Sequence, residues 1–268
     1  MKVFFIGDIF AKPGRQLLKN QLEKLKSQYN WDVCIANGEN IAGGKGINYN
    51  TADELFNSGV DAITLGNHTW SRKEIFNFIC SSTRIVRPAN FPKGVPGKGR
   101  LVIEKNGTKV GLLNLMGRVY MDQPSDCPFQ AADREIAILK QQCDIIIIDL
   151  HAEATSEKLA LAYYVDGRVS AVLGTHTHVQ TADERILLNG TAYITDVGMT
   201  GPSEGVIGVD KTQIIQKFVT GLPCRFEPAE GNTALNAVLL TIDDKTGKAL
   251  EILRVNRQTN GFFEKTLP

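Results

Sequence analysis

The sequence predicts an α/β fold of two packed mixed β-sheets flanked by helices. Short apolar runs alternate with amphipathic stretches three times in the first 80 residues, the pattern of parallel strands joined through helices. Two Asn-Gly pairs, Asn106-Gly107 and Asn189-Gly190, each lie between apolar runs and read as hairpins that add antiparallel strands. The residues with metal-binding or acid–base chemistry fall at the ends of apolar runs, where open α/β sheets bind ligands.

The elements follow in order. Val3 to Ile6 is a short buried strand, ended by Gly7-Asp8. Lys12-Pro13-Gly14 turns the chain into a helix carrying Leu17, Leu18, Leu22 and Leu25 at helical spacing. Val33 to Ala36 is a second strand, ending at Asn37-Gly38-Glu39-Asn40. The stretch Gly43-Gly44-Lys45-Gly46 reads as a flexible surface loop rather than a phosphate cradle. Asn50 is the expected N-cap of a short helix through Phe56. Val60 to Leu65 is a third strand, ending at Gly66-Asn67-His68.

Residues 84–100 read as loop. A hairpin then joins Leu101-Val102-Ile103 to Val110–Leu115. A helix over Ala131–Gln142 precedes a strand over Ile145–Leu150, ended by His151. Thr155 or Ser156 is expected to cap a helix to about Tyr164. Val169 to Leu173 runs into Gly174-Thr175-His176-Thr177-His178. A second hairpin pairs Ile186–Leu188 with Ala192–Ile194, and Gly198 to Gly208 reads as a connection. Asp210 caps a helix to about Val219, and strands over Thr233–Ile242 and Ala249–Val255 close the chain. No repeat, low-complexity tract or linker interrupts residues 1–268, so one domain is expected.

Composition excludes several classes. Hydrophobic residues are 43% and charged residues 22%, with a net charge of +1. Bulk coating of DNA or an anionic membrane needs more positive charge. The five cysteines, Cys34, Cys80, Cys127, Cys143 and Cys224, are odd in number and form no Cys-x-x-Cys pair. That is neither a disulfide framework nor a zinc ribbon, and buried thiols in a reducing compartment are expected. The first apolar run is too short for a leader peptide, and no run approaches the roughly 20 residues of a membrane span. Cytoplasmic localisation is the expectation. Eight basic residues and one acidic residue, a net of +7, lie between Arg84 and Arg118. A solvated loop and hairpin face is favoured there over electrostatic steering of an anion or RNA end.

The chemistry gathers in Asp8, Glu39, Asn40, Asn67, His68, His151, His176 and His178, which include all four histidines of the chain. Singly, each has a plainer reading. Asp8 suits a helix cap, Glu39 a solvated loop, Asn67 a turn, and His151 a satisfied core position. Together they offer oxygen and nitrogen donors without thiolate, which suits Fe, Mn or Zn. A carboxylate can bridge two such ions, and two ions about 3.5–4 Å apart can clamp a phosphate. The His-x-His pair points to opposite faces if extended, but in a loop each ring could reach a different ion.

At these residues the chain resembles the calcineurin-like metallophosphoesterases, and among them the bacterial YmdB-like family of cyclic-nucleotide phosphodiesterases. The shared pattern is Asp8, Glu39, Gly66-Asn67-His68, His151 and Gly174-Thr175-His176-Thr177-His178. Further matches are Lys12-Pro13-Gly14-Arg15, His151–Lys158 and Thr195–Pro202. The wider superfamily places a histidine where Phe10 stands and an aspartate where Glu39 stands; the YmdB-like branch shares both departures. Ala11 occupies a place where such proteins often carry glycine, with little consequence expected.

The resemblance implies a four-layer sandwich. It implies one ion held by Asp8, Glu39, Asn40 and His178, and a second held by Glu39, Asn67, His151 and His176. Iron is the metal it implies, with Mn or Zn compatible with the donors. His68 would be the proton donor to the leaving ribose oxygen, after attack by a metal-bridging hydroxide. The implied substrates are 2′,3′-cyclic and, by the same machinery, 3′,5′-cyclic nucleotides. RNA ends and a second copy of the chain are lesser candidate partners. The competing readings are a broader phosphomonoesterase or nuclease, and a regulatory nucleotide-binding protein with slow turnover.

Overall fold

A computed structural model describes residues 1–260 and 263–265. The first half runs β1 (Lys2–Ile6), β2 (Asp8–Ile9), α1 (Ala11–Tyr29), β3 (Val33–Asn37), α2 (Tyr49–Asn57), β4 (Ala62–Thr64), β5 (Ile85–Val86), β6 (Arg100–Lys105) and β7 (Thr108–Met116). It continues through α3 (Pro128–Leu139), β8 (Ile145–His151), α4 (Thr155–Val165), β9 (Ala171–Thr175), β10 (Arg185–Ile186) and β11 (Ala192–Ile194). The chain closes with β12 (Met199–Pro202), α5 (Lys211–Thr220), β13 (Thr233–Ile242), β14 (Ala249–Asn260) and β15 (Phe263–Lys265).

Both sheets are mixed. The first has the order β15-β14-β13-β1-β3-β4-β5, with β12 pairing both β13 and β2. Its β1, β3, β4 and β5 are parallel, whereas β13 runs antiparallel to β1. The second has the order β10-β11-β9-β8-β7-β6. There β7, β8, β9 and β11 are parallel and the hairpin strands β6 and β10 are antiparallel.

Side-chain alternation along the strands builds three apolar layers. Val3 and Phe5 of β1 face Val110, Leu112, Ile145 and Ile147 between the sheets. Phe4 and Ile6 face the other way, onto Leu18 and Leu22 of α1 and Leu55 of α2. Ile146 and Ile148 of β8 pack under Ile136 of α3 and Leu161 of α4. A strand buried on both faces reads as a continuous apolar run, which is why β1 and β8 show no polar alternation in sequence. The result is helix, sheet, sheet, helix: the predicted fold class.

Several local expectations shift. Asn48, not Asn50, caps α2: its side chain accepts from Thr51 N at 2.9 Å while Thr51 Oγ1 accepts from Asn48 N at 3.1 Å. Neither Thr155 nor Ser156 caps α4; Ala154 stands at that position without a side-chain bond. Residues 84–100 are not all loop, since Ile85–Val86 adds β5 to the sheet edge. Gly198 to Gly208 is more than a connection, since Met199–Pro202 forms β12 against β2 and β13. Asp210 caps α5 as expected, accepting from Thr212 N at 2.9 Å and Gln213 N at 3.2 Å.

Candidate metal centre

The parallel strands of both sheets end on one side, and the eight residues named from sequence meet there. β2 supplies Asp8, and the turn after β3 supplies Glu39 and Asn40. The turn after β4 brings Asn67 and His68, β8 ends on His151, and the turn after β9 carries His176 and His178. Asp8 and His151 are 0% exposed, Glu39 1% and Asn40 2%. Burying two carboxylates this deeply is costly unless something of opposite charge joins them.

The donor atoms fall into two groups that meet at Glu39. In one, His151 Nε2 lies 2.8 Å from Asn67 Oδ1, 3.0 Å from His176 Nδ1 and 3.2 Å from Glu39 Oε1. Ligand atoms about 3 Å apart are the edges of a polyhedron with bonds of about 2.1 Å. In the other, His178 Nε2 lies 3.8 Å from Asp8 Oδ1 and 3.3 Å from Asn40 Nδ2. Asn40 Nδ2 also lies 3.1 Å from Glu39 Oε1, so that one oxygen borders both groups. Asp8 Oδ1 and Asn40 Oδ1 are buried without a hydrogen-bond partner. A buried acceptor left unsatisfied costs ~1–3 kcal/mol. A cation among these oxygens and nitrogens would remove that cost, so the residues fit bound metal.

His68 occupies a different place. It lines a cavity of about 570 Å³ beside the donor groups, with Lys45 and Arg72. Its backbone N donates to Glu39 Oε2 at 3.0 Å, and Ser71 Oγ meets its Nδ1 at 3.3 Å. Nε2 is thereby the ring nitrogen left to serve a substrate.

Electrostatics reflect the crowding. Burial pushes the Asp8 carboxyl up, against the pull of His178 and His151. Burial acts on Glu39 in the same sense, but His151 and His68 outweigh it and hold its carboxyl well below the usual range. Burial opposes charge on His151, yet Glu39 and Asp8 carry its pKa up to about 9. His176 goes the other way, to about 3, through burial and the neighbouring His151 charge. Two imidazoles 3.0 Å apart cannot both hold a proton comfortably. Burial also lowers His68.

A supporting layer fixes the rings. Thr175 Oγ1 donates to Asp149 Oδ1 at 2.7 Å, so it accepts from His151 Nδ1 at 2.9 Å. The neutral His151 ring therefore carries its proton on Nδ1 and turns Nε2 to the centre, the form that can hold a metal ion. Asn37 Nδ2 donates to Asp149 Oδ2 at 3.0 Å, and Leu65 N, just after β4, to Asn114 Oδ1 at 3.3 Å, which ties the two sheets beneath the site. The His-x-His turn is strained, with φ of 106° at His176 and 66° at His178. Lys158 and Asp196, both 0% exposed, hold it. Lys158 Nζ donates to Thr175 O at 2.9 Å and Asp196 Oδ2 at 2.8 Å, and Thr177 N donates to Asp196 Oδ2 at 3.0 Å. Gly66 admits the approach of ligands: a Cβ there would lie 2.3 Å from His151 Cδ2 and 2.4 Å from Glu39 Oε2.

Sequence reasoning missed these supports, although two left a signal. Asp149 interrupts an aliphatic strand, and a buried carboxylate needs donors. Lys158 stands on the same helical stripe as Leu161, Ala162 and Val165, where an ammonium must be paired. The loop at Gly43–Gly46 departs from its expectation as a free surface loop. It walls the cavity, with φ of 73°, 93° and 79° at Gly43, Gly44 and Gly46. Arg72 ties it down through Ala42 O at 2.8 Å and Lys45 O at 3.2 Å.

Comparison with known proteins places this arrangement. A crystal structure of a 5′-nucleotidase precursor from Thermus thermophilus superposes with a TM-score of 0.57 at 13% identity, covering 96% of this chain and 54% of that one. The fold is that of the calcineurin-like metallophosphoesterases. A model of the YmdB-like protein family matches residues 4–255, and the chain belongs to that family. A 2′,3′-cyclic-nucleotide 2′-phosphodiesterase of Bacillus subtilis (strain 168) is 54% identical over 255 residues, 95% of this chain and 96% of that protein. A crystal structure described as a hypothetical protein from Thermus thermophilus superposes with a TM-score of 0.90 at 42% identity, over 99% of this chain and 100% of the other.

Proposed function

We propose that this protein is a metal-dependent phosphodiesterase that opens nucleoside 2′,3′-cyclic phosphates at the 2′ oxygen, with 3′,5′-cyclic nucleotides as secondary substrates. The observation that carries the reading is Glu39 Oε1 at the junction of two donor groups, flanked by the unpartnered buried acceptors Asp8 Oδ1 and Asn40 Oδ1. The Bacillus subtilis relative's activity supports the substrate class.

Asp8, Glu39, Asn40 and His178 would hold one ion, and Glu39, Asn67, His151 and His176 the other. The all-nitrogen-and-oxygen donor set suits Fe, Mn or Zn, and iron is the one that the family resemblance implies. Two bound ions would neutralise charge on the phosphoryl oxygens and supply a water-derived nucleophile at neutral pH.

The chain's own residues do the rest. Lys45 and Arg72 give the cavity positive charge where an anionic diester enters. Asp149 and Thr175 keep the His151 proton on Nδ1, away from the centre. His68 donates a proton from Nε2 to the departing ribose oxygen, held in place by Ser71 and by its own backbone bond to Glu39. Burial lowers its pKa, and the negative charge of a diester in the cavity acts in the opposite sense. The test is turnover of adenosine 2′,3′-cyclic phosphate by His68→Ala and Glu39→Gln, each with its metal content. Loss of turnover with metal retained is expected for the first, and loss of both for the second. Turnover by both variants at the wild-type rate would refute the reading.

A further inference from the structure

The cavity beside the metal centre has a second chemical character. Its apolar lining includes Ile207, Val209, Ile214, Phe226 and Pro228, all from one segment of the chain. Backbone bonds make that segment a built wall. Asp210 N donates to Glu227 O at 2.9 Å and Ala229 N to Gly208 O at 2.9 Å. The wall joins the centre directly, because Ile207 O lies 3.0 Å from His178 Nδ1 and accepts from it.

Ile207 is the telling residue. It turns the chain between Val206 and Val209, whose backbone groups bond each other at 2.8 and 3.0 Å. Both central residues have positive φ, 47° at Ile207 and 93° at Gly208. Such turns favour Asn-Gly, and β-branched residues are outliers in this conformation. The chain follows that preference at Asn106-Gly107, with φ of 52° and 77°. At 207 it instead keeps a strained isoleucine that is 53% exposed at the cavity. An apolar side chain held exposed at a steric cost, on a carbonyl that supports a metal-centre histidine, points to a ligand contact rather than to packing. Phe226 adds an aromatic ring, with Lys217 Nζ 4.9 Å from its centroid.

We propose that Ile207 and Phe226 form the subsite for the planar base of the nucleotide, resting on the phosphodiesterase reading above. A phosphate at the metal centre leaves the attached ribose and base to occupy the same cavity, and the apolar wall offers a surface there that suits a π-face, with Ile207 far more open than the buried ring of Phe10. Base–aromatic stacking is sequence-tolerant, so the subsite separates nucleotides from base-free esters more sharply than one base from another.

The experiment compares kcat/KM for adenosine 2′,3′-cyclic phosphate with that for glycerol 1,2-cyclic phosphate, which keeps the five-membered diester ring and lacks the base. Wild type, Ile207→Asn and Phe226→Ala are assayed as metal-loaded proteins. The nucleotide-to-ester ratio is expected to fall about tenfold in Phe226→Ala and in the same direction in Ile207→Asn. Ile207→Asn keeps the backbone carbonyl that supports His178 and relieves the turn. Its melting temperature is therefore expected to rise by about 2–4 °C while the ratio falls, a pairing that a purely structural role would not give. A ratio within twofold of wild type in both variants overturns the subsite, as does a parallel loss on both esters. If wild type opens neither ester, the phosphodiesterase reading fails by itself. The wall is then judged by binding of adenosine 2′,3′-cyclic phosphate against inorganic phosphate. Weaker nucleotide binding in Phe226→Ala with phosphate binding retained upholds it, and unchanged nucleotide binding overturns it.

Discussion

His68 and Gly66 stand two residues apart and support the centre differently. In the proposed reaction His68 is the proton donor, so His68→Ala is expected to lower kcat by ~10²–10⁴-fold, the usual worth of a placed general acid. Metal content should stay at the wild-type level; loss of metal would make His68 a ligand. Gly66 serves only by lacking a side chain. Gly66→Ala would drive a methyl into His151 and Glu39, costing ~1–3 kcal/mol of stability as an overpacked position, with metal loss as its signature in elemental analysis. Ala11 shows a milder form of backbone constraint. It has φ of 52° at the start of α1, which favours glycine, yet its methyl is fully buried with Phe10 and Met199. Strain relief and lost packing oppose each other, which accounts for the tolerance of alanine there.

Away from the centre, Asp183 gives a pH test. Burial raises its carboxyl, but hydrogen bonds from Thr181 at 2.6 Å and from Thr195 Oγ1 at 2.5 Å outweigh it, and its pKa is lowered. A depressed carboxyl stabilises the fold above its unfolded pKa of about 3.9 and loses that contribution as pH falls through the folded value. The stability gap between wild type and Asp183→Asn, measured by denaturation, should therefore be full at neutral pH and shrink below about pH 4. A gap that widens on acidification would contradict the assignment.

Among the elements, the turn after β9 depends most on a neighbour. Its strained histidines are held by the buried Lys158–Asp196 pair rather than by the local sequence. Removing one partner of such a pair strands a buried charge, at a cost of ~3–5 kcal/mol. Asp196→Asn should lose about that much in chemical denaturation and bind metal more weakly through the loosened turn. A change below about 1 kcal/mol would show the pair to be dispensable.

Strands and helices with strong patterning were legible from sequence: β1, β3, β8, α1 and the hairpin at Asn106-Gly107. So was the convergence of metal-type donors at strand ends. What escaped was set by distant backbone contacts. β12 contains Gly201 and Pro202 and exists because β2 and β13 pair with it. The two asparagines near the start of α2 are only two residues apart, and local pattern cannot choose between them. Asn48 wins because Thr51 can return its bond. The apolar wall escaped for the same reason as β12, since Val209 and Pro228 meet by a bridge across 19 residues that no periodicity announces.

For the whole molecule, the four-layer order brings residues from β2 to the turn after β9 into one centre, and we propose that residues 1–268 unfold as one unit. Metal that binds only the folded chain should raise the single melting transition, by about 2.7 kcal/mol of stability at a hundredfold excess over Kd. Two separated transitions would contradict this. Four of the eight basic residues from Arg84 to Arg118 are held by local partners. Arg84 binds Asp61 O, Arg87 binds Pro88 O, Arg100 pairs with Glu135, and Lys105 pairs with Asp61. None of its residues lines the cavity. Salt should accordingly change kcat/KM little, about threefold or less between 50 and 500 mM, where steering would give a steep fall.

The most direct test of the account is metal per chain measured with opening of adenosine 2′,3′-cyclic phosphate, for wild type and Glu39→Gln side by side. The account predicts about two ions per chain with turnover in wild type, and loss of both bound metal and turnover when the carboxylate at the junction becomes an amide. A Glu39→Gln protein that keeps the wild-type metal content and the wild-type rate would contradict it.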